Sequence, residues 1–192
     1  MIDLPPPTYE QTIEAIAKCD IPRSSIRIRY EDYLQSDEIT VSNLGAVNES
    51  KMRCLKEAVH PFYILTISDQ AQATAYYDFS RREDRPAKKQ AAQERLREKG
   101  LLERLPRFDS NERLEQFAAR LEAACEIAPG KGLSVLGPSS LTTRPDLVDT
   151  SDFEQSGERL YCLVQMFAAS NADEHGISFG FIGNEAYTEE KK

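Results

Sequence analysis

The chain has 192 residues, 40% of them apolar and 29% charged, with 10 Pro, 9 Gly and no Trp. That length buries a sizeable core without help from disulfides or metal, and the composition excludes disordered, collagen-like and membrane-spanning classes. A formal charge of -8 repels phosphate backbones and anionic lipid, so neither nucleic acid nor a membrane is an expected partner.

Thr8 and Gln11 have the spacing of a capping box, directly after three prolines, and Tyr9, Ile13, Ile16 and Ala17 recur at helical spacing. They predict a helix over Tyr9–Cys19. Ile26-Arg27-Ile28-Arg29-Tyr30 alternates strictly and predicts a half-buried strand with two arginines on its open face. Glu38 to Ser42 is a weaker strand. Met52, Leu55 and Val59 predict a helix over Glu49–Val59, ended by Pro61. Phe62 to Ile67 is apolar without alternation, which predicts a strand central in its sheet.

Ala71 to Ser80 starts another helix, and Pro86 is expected to break or kink it. Ala87 to Lys99 resumes with strong helix formers, and Gly100 stands where a helix stops. The stretch from about residue 70 to 105 therefore reads as a helical insertion. Asp109 with Glu112 predicts the start of a helix carrying Leu114, Phe117, Ala118, Leu121, Ala124 and Cys125. Leu133–Val135 and Leu141–Thr143 predict a hairpin around Gly137. A helix over about Gly157–Asn171, a last strand over Ile177–Phe181 and a frayed acidic tail from Glu185 follow. No internal repeat is visible. The sum is one α+β domain over 1–192: a mixed, mostly antiparallel sheet of five or six strands, helices on one face, and the insertion.

Charge is segregated. Arg81 to Asp109 carries ten basic and six acidic residues, whereas Pro145 to Glu190 carries ten acidic residues and one basic, Arg159. The first segment reads as a solvated helix, or as a basic face that docks an acidic partner or the chain's own acidic end. No signal peptide shows at the N-terminus, which predicts a cytoplasmic address and Cys19, Cys54, Cys125 and Cys162 as thiols. Their spacings, 35, 71 and 37 residues, fit no zinc knuckle or redox motif.

Chemistry-bearing patterns fall short one by one. Cys54 and His60 point apart on a helix, and Cys162 with His175 would need the fold to join them. Gly137-Pro138-Ser139-Ser140-Leu141 lacks the second glycine of a nucleophile elbow. Pro129-Gly130-Lys131-Gly132 lacks both the Ser or Thr and the first glycine of a phosphate loop. Asp152, Glu154, Ser156 and Gly157 begin like a calcium loop, but Leu163 stands where the final carboxylate belongs. Arg27 and Arg29 could grip a carboxylate or phosphate, or simply guard a strand edge. No cofactor and no metal is expected. The leading expectation is a non-catalytic protein that binds a protein partner or itself as a homo-oligomer. The alternatives are a hydrolase-like enzyme built on Cys162 and His175, or a small-molecule or peptide binder.

Overall fold

The Thr8 hydroxyl accepts from the Gln11 N–H, and the Gln11 side chain accepts from the Thr8 N–H at 2.9 Å, so the capping box opens the first helix as its sequence predicts. The computed structural model describes residues 7–59, 63–147 and 152–180. The chain divides into two compact units, Met1–Arg85 and Pro86–Lys192.

The first unit contains α1 (Tyr9–Ala17), β1 (Ile26–Glu31), β2 (Ser36–Val41), α2 (Glu49–Val59) and β3 (Ile64–Ile67), and then the first part of α3 (Gln70–Glu98). Its sheet has the order β1-β2-β3, antiparallel then parallel. Ile26, Ile39 and Val41 on the sheet pack with Ile16 of α1, Leu55 of α2 and Phe79 of α3. Each such apolar side chain contributes roughly 2–5 kcal/mol, judged by the usual cost of truncating a buried Leu or Ile to Ala.

The second unit holds the rest of α3, then α4 (Leu114–Ala124), β4 (Leu133–Val135), β5 (Ser140–Thr143), α5 (Phe153–Ala169) and β6 (Ser178–Gly180). Its sheet has the order β4-β5-β6, again antiparallel then parallel. Ala92 and Leu96 of α3 join Phe117, Leu121, Leu141, Leu163 and Met166 in a second core.

The α+β class is therefore correct, but the single sheet of five or six strands is not: the described residues form two small three-stranded sheets. Five α-helices accompany them among the described residues. Phe62 to Ile67 also differs from expectation. The strand begins at Ile64 and pairs only with β2, so it is an edge, and the weaker-looking β2 is central. Lack of alternation does not mark a covered, central strand here, since Ile64 is exposed, Leu65 and Thr66 are half-buried and only Ile67 is buried. Pro86 lies inside a continuous α3 of 29 residues, since strong helix formers flank it. Asp109 does not start α4; its carboxylate accepts from the Asn111 N–H at 2.9 Å, and the helix begins at Leu114.

The two units repeat one another, although no repeat is visible in the sequence. Both run helix, hairpin, helix, parallel strand, and their strand registers coincide. Ile28 faces Ile39, and Val135 faces Leu141. Ile39 in turn faces Leu65, as Leu141 faces Phe179. Gln116 repeats the capping role of Gln11 by accepting from the Arg113 N–H at 3.1 Å. Arg113 has no acceptor atom, so only half of the box is repeated.

Cysteine chemistry repeats as well. Cys19, just after α1, is bonded to Cys54 of α2, and Cys125, just after α4, is bonded to Cys162 of α5. The Cα atoms lie 5.6 and 5.8 Å apart. The expectation of four thiols is thus corrected: no cysteine is free. In each unit the bridge ties the end of the first helix to the second helix, beside a fully buried leucine, Leu55 or Leu163.

Candidate functional site

A duplicated scaffold separates what the fold requires from what one copy carries in addition. In the second unit the hairpin closes early: the Leu136 N–H donates to the Ser140 carbonyl at 2.8 Å. In the first unit β1 and β2 continue past that point, through the pairs Tyr30–Asp37 and Glu31–Ser36, to a four-residue turn over Asp32–Gln35. The added hairpin bears Tyr30, 56% exposed, and Tyr33, 76% exposed.

Directly opposed residues of an antiparallel pair share a face, so Tyr30 and Asp37 point the same way. Ile28 and Ile39 belong to that face by alternation, one step closer to the core. Tyr9, at the start of α1, reaches the same face, and its hydroxyl donates to the Asp37 carboxylate. That bond, and the carboxylate's negative charge, hold the Tyr9 phenol above its ordinary pKa. The Tyr9 ring also meets Tyr63 edge-on, centroids 6.5 Å apart. Tyr63 is fixed in turn, donating to the Pro7 carbonyl at 2.8 Å and accepting from Thr12 at 3.2 Å. Packing and hydrogen bonds thus fix the position of the Tyr9 ring.

Two neighbouring cations, Arg29 and Arg23, are already engaged. Arg29, on the opposite face of β1, pairs with Glu31 and lies 3.9 Å from Glu38. Glu38 also accepts from Thr66 at 2.6 Å. Arg23 pairs with Glu10 at 2.7 Å. Among the described residues no basic side chain lies within salt-bridge reach of Asp37. Arg29 is thus an ion-pair member that is itself exposed, whereas its neighbour Glu38 is buried.

The second unit offers an open groove of about 640 Å³ lined by Arg107, Asp109, Glu112, Arg120 and His175. Several of its polar groups are engaged with one another. Arg120 pairs with Glu112 and donates to the Arg107 carbonyl at 2.7 Å. The His175 ring meets Phe108 edge-on at 5.4 Å and lies 3.2 Å from the Asn171 amide nitrogen. Cys162 cannot be its nucleophile, because that sulfur is bonded to Cys125. A thiol–imidazole pair from Cys162 and His175 is therefore absent from the oxidised protein. His60, the partner considered for Cys54, lies outside the described residues, and Cys54 is itself bridged.

The remaining near-motifs take structural roles. Gly130, Gly132 and Leu133 N–H groups do surround an anion, but it is the chain's own: the buried Glu122 carboxylate accepts from them at 2.6, 2.7 and 2.7 Å. Gly132 is closely packed, since a Cβ there would stand 3.2 Å from Leu163 and 3.3 Å from Ile127, tight enough that those side chains would have to shift. Asp152 caps α5 by accepting from the Gln155 N–H at 3.3 Å. Among the described residues no group of three or more His, Cys, Asp and Glu could hold a metal, and no helix is long and apolar enough to cross a membrane. Much of the basic segment is paired with the chain's own acids, Arg82 with Glu49 at 3.7 Å and Lys89 with Glu174 at 2.6 Å.

The exposed tyrosines were missed because each one, taken singly, is ordinary surface. Their signal lies in the unequal hairpins of two otherwise equivalent units. No protein-family profile, curated protein or solved structure matches the chain.

Proposed function

We propose that this protein is a disulfide-stapled, non-catalytic binding protein that engages another macromolecule through the extended hairpin of its first unit. The observation that carries this reading is the hairpin itself. The second unit completes the same fold without it, so the exposed rings of Tyr30 and Tyr33 are not required by the shared fold, although Asp37 also holds Tyr9 in place. Tyrosine suits this role, because it offers large contact area at low cost in conformational entropy and is enriched where protein surfaces bind. Exposed rings on a hairpin also suit a macromolecule better than a small ligand, which favours a concave pocket.

Two bridges in equivalent positions favour an oxidising compartment over the cytoplasmic address suggested by the N-terminus. Reaction chemistry has less support, since the one thiol–imidazole combination available to the described residues is removed by oxidation.

The test is a binding panel. Wild type and a Tyr30→Ala/Tyr33→Ala variant are exposed to basic and acidic peptides, neutral polysaccharide and duplex DNA, and sedimentation reads self-association. Binding that the double variant loses by tenfold or more supports the reading. Equal behaviour of both proteins toward every probe removes the hairpin as the binding surface.

A further inference from the structure

We infer that the partner of the tyrosine hairpin is a basic peptide segment, whose ammonium or guanidinium groups meet Asp37 and lie over the rings of Tyr30 and Tyr33. This rests on the reading of the hairpin as a binding surface and adds the chemistry of what it binds. Three observations carry it.

Charge comes first. From Arg29 to Glu38 there are four acidic residues, Glu31, Asp32, Asp37 and Glu38, and one basic. Arg29 is directed to Glu31 and Glu38 on the opposite face, so it does not neutralise Asp37 or Asp32. The tyrosine face of β1 and β2 itself carries no basic residue: its members are Ile26, Ile28, Tyr30, Asp37, Ile39 and Val41.

Ring chemistry comes second. The face of a phenol ring is the negative end of its quadrupole and attracts a cation, Arg more often than Lys. The exposed ring of Tyr30 stands directly opposite Asp37, whose carboxylate has no cationic partner among the described residues, so a guanidinium meets both kinds of contact there, and Tyr33 exposes a second ring in the adjoining turn. An acidic partner would meet repulsion here, and a neutral one would leave the carboxylate charge without a counterpart.

Prior order comes third. Tyr9 and Tyr63 fix one wall of the face, and the Tyr9 hydroxyl already occupies part of Asp37. A carboxylate has lone pairs beyond the one that the Tyr9 hydroxyl uses, so Asp37 keeps acceptor capacity for a further donor.

The experiment uses the full oxidised chain and fluorescein-labelled peptides: an Arg/Lys-rich peptide and its Glu-substituted counterpart. Amylose serves as the neutral probe. The variants are Tyr30→Ala, Tyr33→Ala and Asp37→Asn, with Tyr161→Ala of the second unit as control. Circular dichroism establishes that each variant is folded. Expected results are binding of the basic peptide alone, about tenfold or greater loss for Tyr30→Ala or Tyr33→Ala, and no loss for Tyr161→Ala. Asp37→Asn weakens binding and flattens its dependence on salt.

A chain of net charge -8 attracts cations non-specifically, so dependence on the tyrosines is the decisive readout. Basic peptide bound equally by all variants overturns the inference. So does tyrosine-dependent binding of amylose with none of the basic peptide, although the hairpin then remains a binding surface. Absence of tyrosine-dependent binding to any probe removes both readings together.

Discussion

Asp20 and Glu126 share one backbone conformation: each has φ 58°, directly after a half-cystine and directly before a buried isoleucine, Ile21 or Ile127. The left-handed region is strained for a residue with a Cβ, by roughly 1–2 kcal/mol. Both units accept that strain where the chain leaves the first helix for the hairpin. Glycine relieves it but loses more entropy on folding. Glu126→Gly is therefore expected to stabilise by about 0.5–1 kcal/mol. Asp20→Gly should gain less, because Asp tolerates this conformation better than Glu. Thermal unfolding of both variants checks the order, and destabilisation by Glu126→Gly would contradict it. The ion pair that Glu126 gives up, with Arg104, is exposed and contributes little.

Each disulfide closes a loop of similar length, with sequence separations of 35 and 37. Chain-entropy arguments assign each about 3–4 kcal/mol. Cys19→Ala/Cys54→Ala and Cys125→Ala/Cys162→Ala should therefore destabilise to a similar degree in urea unfolding. A free-thiol assay on the protein purified under oxidising conditions should find none.

Glu122 is buried with three backbone N–H groups on its carboxylate. Glu122→Gln keeps the shape but turns an amide donor toward donors and removes the charge from these bonds. A cost of about 2–4 kcal/mol is expected. Urea unfolding reads it directly, and a change under about 0.5 kcal/mol, typical of a neutral surface substitution, would show that the carboxylate does not organise this loop.

Tyr9 provides a test in the alkaline range. Its folded pKa is raised above 10.0, first by the hydrogen bond to Asp37. A raised pKa stabilises the fold fully below the unfolded value, and that contribution is lost as pH rises through the folded one. Difference titration of phenolate absorbance, wild type against Tyr9→Phe, should show Tyr9 ionising above pH 10. Asp37→Asn should move that ionisation downward. An unmoved curve would mean that the bond is not formed in solution.

Several elements were legible because local physics decides them. Met52, Leu55 and Val59 mark the helix Glu49–Val59 at both ends, and strict alternation marks β1. Gly100, at φ +68°, ends the long helix where a left-handed residue is needed. Duplication was not legible, since the units share few identities: Cys with an acidic residue and Ile after the first helix, and Cys-Leu in the second. The clue was numerical, in the nearly equal outer spacings of 35 and 37 residues that surround the inner 71. Without that period, six strands were merged into one sheet. Tyr30 and Asp37 could not be seen as neighbours of Tyr9, because a helix cap and a hairpin tip meet only through the tertiary fold.

Both bridges close within their own halves, and all four sulfurs are used in this way. Across the Arg85–Pro86 bond only the main chain is covalently continuous. A protease that cuts α3 once within its charged run Arg81–Lys89 would leave two separate polypeptides, each still internally cross-linked. On a denaturing gel they would part without any reductant.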